Sequence, residues 1–232
     1  MASTRPEDAS TQLKETDTTA TSPPETSKGK RKATSPEAER PISKPKIVEA
    51  EDEPESPGLK LTTHRGDIFS APANTVLIHA CNTQGSWGAG IAAAFRDRYP
   101  EAYKVYRAHC IRTHDPQTDA VPTGSCLLIS PCETRPNARK HYIGCLFTSA
   151  KYGRGKDGPA QILKNTDPAM RSLLDQAKAL QADGKEVSGL RMCKINSARF
   201  GVPWHKTVEV LEGIEVEEGW FGDVEVWTID KD

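Results

Sequence analysis

The stretch Thr75–Ala92, TVLIHACNTQGSWGAGIA, decides the fold. Its opening, Thr75–Ala80, is a short, apolar, partly β-branched run, the pattern of a strand buried on both faces. The glycine-rich loop Gly85-Ser-Trp-Gly-Ala-Gly90 follows, and Ile91–Arg98 then reads as a helix that opens from the loop and halts before Pro100. A buried strand passing through glycines into a helix builds a cradle for an anion. Small residues let backbone N–H groups approach it, and the helix N-terminus adds its positive end. The glycine spacing is neither that of the dinucleotide fingerprint nor that of the Walker loop.

Outward from this segment the same alternation continues. Leu59–Arg65 reads as a strand closed by Gly66-Asp67, and Pro100 to about Ile111 as a second helix. Ser125–Ile129 and His141–Phe147 are the next strands. A long helical pattern over Pro159–Ala182 is expected to be interrupted or kinked at Pro168. Leu190–Ile195 is a further strand, Trp204–Leu211 a final helix and Asp223–Ile229 a last strand. Strands alternating with helical segments imply an α/β domain whose sheet is covered on both faces. Ligands of such sheets bind beyond the carboxyl ends of the strands, which selects the loops after Ala80, Phe147 and Ile195. Gly153-Arg-Gly-Lys156 has Asp157 where a phosphate loop needs Ser or Thr, so it reads as an ordinary mobile loop.

Composition separates two regions. Residues 1–58 contain no Phe, Trp, Tyr or Cys and hold eight of the 17 prolines. Such a segment buries too little apolar surface to offset the entropy of ordering its backbone, so a disordered polar tail is expected there. All four Trp and all six Cys lie in residues 59–232, one domain's worth of chain. The tail carries 9 Lys+Arg against 12 Asp+Glu, giving −3, and the remainder 22 against 20, giving +2. Neither balance implies a broad nucleic-acid surface, and no direct nucleic-acid partner is expected. Lys28, Lys30, Arg31 and Lys32 form a basic cluster that suits either nuclear import or plain solvation. No apolar leader or membrane-length run is present, so the expected location is the cytoplasm, the nucleus or both, with no membrane contact and reduced thiols. No C-x-x-C pair occurs, and His109 and His114 lack Cys or carboxylate at zinc-like spacing, so no metal and no cofactor are expected.

Four motifs in order, each at a strand end, carry a resemblance: Gly66-Asp67-Ile68; Ala80-Cys81-Asn82; Trp87-Gly88-Ala89-Gly90-Ile91-Ala92; and Ile195-Asn196-Ser197-Ala198-Arg199-Phe200-Gly201. Together they resemble the macrodomain family over about residues 59–230. The wider phrases HACN-x-QGSWGAGIA, CLFTS and KIN-S-x-x-FGVPW look most like the fungal ADP-ribose 1''-phosphate phosphatases within it. The resemblance implies a three-layer α/β/α fold around a central mixed sheet. It also implies a protein that takes ADP-ribose or its 1''-phosphate, a by-product of tRNA splicing, and a monomer is expected. Asp67 would accept from the adenine amino group, with the Ile68 backbone beside it. Ala80, Cys81 and Asn82 would line the distal ribose, with Asn82 orienting its hydroxyls as a catalytic residue beside His79, and Trp87–Ala92 with Ser197–Gly201 would embrace the diphosphate through backbone amides.

For each of these a plainer role exists: Asp67 as a helix cap, Asn82 as a turn cap, Trp87 and Phe200 as core packing. His79, a titratable residue at the end of a buried strand, is the candidate for proton transfer, against a role as a core histidine. Cys81 as a nucleophile is set against a packed thiol. Ala198 stands where such loops usually carry glycine, a strain of about 1 kcal/mol if the position needs φ > 0. The branch that hydrolyses ADP-ribosyl esters on proteins uses a lysine and an aspartate at positions that align with Ser149/Ala150 and Phe200. Lys151 lies a residue or two away, and no aspartate replaces Phe200. Three functions therefore stay open: 1''-phosphatase, hydrolase of ADP-ribosylated protein, and non-catalytic reader of ADP-ribose.

Overall fold

The computed structural model describes residues 57–229. The expected tail, its basic cluster included, lies outside them except for Pro57 and Gly58. Those two are tied to the domain: Gly58 bridges Glu215, and the Pro57 carbonyl accepts from the Val216 N–H at 3.0 Å.

Six strands form one mixed sheet. They are β1 (Lys60–Arg65), β2 (Thr75–Asn82), β3 (Cys126–Ile129), β4 (Tyr142–Ser149), β5 (Gly189–Met192) and β6 (Asp223–Thr228). The sheet order is β1-β6-β5-β2-β4-β3, parallel throughout except for the β3–β4 pair. The central strands β2 and β4 are buried along almost their whole length, as the continuous apolar run predicts. The helices are α1 (Ile91–Arg98), α2 (Pro100–Ala108), α3 (Pro159–Ala182) and α4 (Trp204–Glu212).

Two cores lie on opposite faces of the sheet. Val76, Ile78 and Leu146 pack with Met170, Leu173 and Leu174 of α3 and Leu211 of α4. Leu77, Cys81, Cys145 and Phe147 pack with Phe95 of α1 and with Ala102 and Tyr106 of α2. The period-2 alternation of β2 sends its odd-numbered side chains to the α1/α2 layer and its even-numbered ones to the other. The result is the three-layer α/β/α arrangement that the sequence predicts.

Several elements depart from the sequence reading. The long helix runs unbroken through Pro168, whose ring packs toward Gly124, so the expected interruption does not occur. Tertiary packing of the buried face over Ile162–Ala177 outweighs the lost backbone bond. The second helix ends at Ala108 and continues as a wider turn over His109–Thr113, which buries Cys110. The first free N–H groups of α2 are satisfied from a distance: Glu133 Oε1 accepts from Glu101 (2.9 Å) and Ala102 (3.1 Å). Among the described residues no helix is long and apolar enough to cross a membrane.

Candidate active site

The carboxyl ends of β1, β6, β5, β2 and β4 open into one cavity of about 1440 Å³. Following the strand order, its walls begin with Gly66, Asp67 and Ile68 after β1 and Trp227, Thr228 and Ile229 at the end of β6. They continue with Cys193–Phe200 after β5, Ala80, Asn82 and Ser86–Ala92 from β2 to α1, and Tyr152, Gly153 and Arg154 after β4.

At the β1 end, Gly66 takes φ +147°, and a Cβ there would meet the Trp227 ring at 2.9 Å. Glycine is what lets the backbone pass the indole. Asp67 follows; it caps the short turn after β1, as its plainer reading expects, and it also borders the cavity. Its Oδ1 accepts from the Phe69 N–H (3.0 Å), a cap, while Oδ2 pairs with Arg98 (3.2 Å) on the cavity wall. The Arg98 guanidinium lies 4.2 Å from the Phe69 ring centre.

The β2–α1 loop is held from behind. Asn82 Oδ1 accepts from the N–H groups of Gln84 (3.0 Å) and Ser86 (3.3 Å), and its Nδ2 donates to the Ser86 carbonyl (2.6 Å). Tyr106 Oη donates to the Asn82 carbonyl (2.6 Å). The Asn82 side chain is thus engaged in shaping the turn, as the cap reading anticipates. Gly88, Ala89 and Gly90 are exposed on the rim, and Gly90 (φ 60°, ψ −143°) leads into α1 with no side-chain cap. Gly90, Ile91 and Ala92 at the start of that helix line the cavity, and the Ala93 and Ala94 N–H groups donate back to the Gly90 carbonyl.

Opposite, Ser197–Phe200 form the β5–α4 loop. Asn196 takes φ 63°, and its side chain turns into the interior, accepting from Thr148 Oγ1 and donating to Thr166 Oγ1, each at 2.9 Å. Ala198 is not among the positive-φ residues, so its lack of glycine brings no backbone strain. Arg199 crosses toward the other loop, its Cγ 3.6 Å from where a Gly90 Cβ would sit. Gly201 closes the turn at φ 72° by donating to the Ser197 carbonyl; it supports the loop and is not part of the wall.

His79 and Cys81 are corrections to the expected site. Ala80 and Asn82 reach the cavity, whereas His79 (0% exposed) and Cys81 (2%) lie under α1 and α2. The His79 ring stacks on Phe95 at 4.2 Å and meets Trp87 edge-on at 4.8 Å, and Trp87 stacks in turn on Tyr106 at 4.9 Å. Cys81 Sγ lies 3.5 and 3.6 Å from the two ring nitrogens of His79. Burial alone would raise its thiol, but hydrogen bonding with Cys145 and the neighbouring imidazole bring it down to about 6. Cys145, its buried partner, is pushed well up by desolvation. Among the described residues, His79, Cys81 and Cys145 bring donor atoms within 4.8 Å of one another, behind the strand and away from the cavity. None of the three lines the cavity, and each is packed as a core side chain.

The sequence reading missed Arg98, Tyr152, Arg154, Lys194 and Trp227–Ile229 on the walls. The loop set aside as ordinary is clasped at its base. Asp157 Oδ2 accepts from Ala150 N–H (2.7 Å), the Asp157 N–H donates to Ser149 Oγ (3.0 Å), and Thr83 Oγ1 donates to the Ala150 carbonyl (2.8 Å). Asp157, which disqualified the segment as a Walker loop, is what anchors it. Two basic residues among glycines directly after a central strand were the available signal. Lys151 instead folds back over Gly155 and does not reach the wall.

A family model of the macro domain matches residues 78–211. Among curated proteins named ADP-ribose 1''-phosphate phosphatase, that of Chaetomium globosum is 47% identical over 165 residues, covering 69% of this chain and 87% of the relative. That of Aspergillus fumigatus is 39% identical over 191 residues, covering 71% and 96%. Of solved structures, the macrodomain of Mycobacterium tuberculosis DarG aligns with a TM-score of 0.54 at 18% identity, covering 73% of this chain and 98% of that one. That of Thermus aquaticus DarG gives 0.52 at 21%, covering 72% and 97%. At those identities the structures bear on the fold alone. The chain belongs to the macro domain family.

Proposed function

We propose that this chain hydrolyses ADP-ribose 1''-phosphate to ADP-ribose and inorganic phosphate, the activity named for its curated relatives. The observation that carries this reading is the wall of the cavity. Residues of all four sequence motifs line it in an order that suits one extended nucleotide-sugar. In this reading the adenine lies against Asp67 and Ile68. The diphosphate lies between the Gly88–Ala92 and Ser197–Phe200 loops, and the distal ribose lies at Ala80 and Asn82. Water attacks phosphorus, the bond from phosphorus to the 1''-oxygen breaks, and the departing oxygen takes a proton, leaving ADP-ribose and phosphate. Preorganised amide donors stabilise the charge that develops. Among the described residues Asp67 is the only carboxylate on the wall, at the far end and paired with Arg98. Positioning and electrostatics therefore supply most of the rate enhancement that this chain's own side chains and amides provide. Attack by Lys151 on an ADP-ribosyl ester is disfavoured by its fold-back over Gly155.

Purified protein given ADP-ribose 1''-phosphate is expected to release one phosphate per substrate consumed. Tight ADP-ribose binding with no phosphate released above background would reduce the chain to a reader of ADP-ribose.

Asp67 gives a second test. Asp67→Asn keeps an oxygen for the Phe69 cap but removes the charge, and is expected to weaken ADP-ribose by about tenfold with little change in melting temperature. Asp67→Ala should add a stability loss of about 1 kcal/mol from the lost cap. If both variants bind as wild type in calorimetry, Asp67 serves the turn and Arg98 only.

A further inference from the structure

Four cationic side chains contribute to the cavity wall: Arg98, Arg154, Lys194 and Arg199. Arg98 is neutralised by Asp67, and Lys194 has a partner. Arg154 and Arg199 make no ion pair or hydrogen bond with any described residue. Two arginines without a partner among the described residues thus border the same cavity from different loops. Their positions differ. Arg199 arches over Gly90, where the two amide loops converge. Arg154 sits after β4, the last strand of the series β1, β6, β5, β2, β4 that borders the cavity. At about 4.8 Å per strand, β4 lies roughly 19 Å across the sheet from the Asp67 end.

We infer that Arg154 is the specificity residue for the terminal phosphate, the group that distinguishes substrate from product; this rests on the orientation proposed above. The substrate's monoester carries a charge of about −1.5 to −2 at neutral pH that ADP-ribose lacks. A planar guanidinium offers such a group paired N–H donors and a positive charge. The loop presents it without a long search. Gly153 (φ 64°) and Gly155 flank Arg154 in a single tight turn, and the Ser149–Asp157–Ala150 clasp and the Thr83 bond fix the base of that turn to β2 and β4. Arg199, over the convergence of the amide loops, serves the diphosphate common to substrate and product.

The test compares Arg154→Ala and Arg154→Lys with wild type, using ADP-ribose 1''-phosphate and ADP-ribose as separate ligands. Losing a charge-assisted contact should raise KM for the 1''-phosphate by about 10–100-fold, while ADP-ribose affinity by calorimetry stays within about twofold. Arg154→Lys should recover part of the loss, and inhibition by inorganic phosphate should weaken in step with the KM change. Arg154 is exposed and has no partner among the described residues, so the melting temperature serves as a control and should not move. An equal loss for both ligands would place Arg154 at the diphosphate and overturn the assignment, as would unchanged values for both. Should wild type release no phosphate, the proposed activity fails by itself. The assignment is then decided by calorimetry alone: it stands if wild type prefers the 1''-phosphate to ADP-ribose and Arg154→Ala abolishes that preference, and falls otherwise.

Discussion

His79→Ala is expected to destabilise the domain by about 2–4 kcal/mol, to lower the melting temperature by roughly 5–15 °C, and to reduce ligand affinity and turnover together. The imidazole is fully buried between Phe95 of α1 and Trp87 of the β2–α1 loop. Truncation leaves a void under both of the elements that set the positions of the Gly88–Ala92 amides. A proton-transfer role would give a different signature: a fall in turnover of ~10²–10⁴-fold with affinity and stability largely kept. His79→Phe separates the two. The phenyl ring preserves the stack but cannot carry a proton, and this variant should keep most of its stability and most of its turnover. A stable His79→Phe protein with turnover reduced a hundredfold or more would refute the packing role and return the imidazole to the chemistry.

The second large effect is expected at Gly90. Its φ of 60° and ψ of −143° place it where almost only glycine is found, and a side chain there costs about 1–3 kcal/mol or forces the loop to another path. Steric clash is not the cause, since the nearest atom to an added Cβ is Arg199 Cγ at an ordinary 3.6 Å. Because the loop is exposed, Gly90→Ala should relax by moving, which tilts the first amides of α1 away from the cavity. Affinity for ADP-ribose should fall about 10–100-fold in calorimetry, with the far-ultraviolet circular dichroism unchanged. Wild-type affinity in this variant would show that the diphosphate does not rely on the N-terminus of α1.

Much of this site was legible before any coordinates. The glycines and small residues of Trp87–Ala92 let backbone approach a ligand closely, a requirement that is readable from composition and spacing, and they line the cavity. The same holds for Asp67 at a strand-to-turn junction and for Ser197–Phe200, all of which reach the cavity wall. Local chemistry was also correctly read in its plainer form: Asn82 does cap its turn, and Trp87 does pack in the core.

By itself the sequence determined the α/β alternation, the loops that line the cavity and the family to which the chain belongs. Each follows from patterns confined to a few neighbouring residues. Only the tertiary structure decided which way the side chains of β2 face. The strand is apolar on both sides, so no polar alternation marks the ligand side, and a shift of one residue exchanges His79 and Cys81 for Ala80 and Asn82. It also decided that Arg154, Trp227 and Arg98 meet in one cavity. They come from three strand or helix ends far apart in the chain, and strand order, which no local pattern encodes, is what brings them to a common edge.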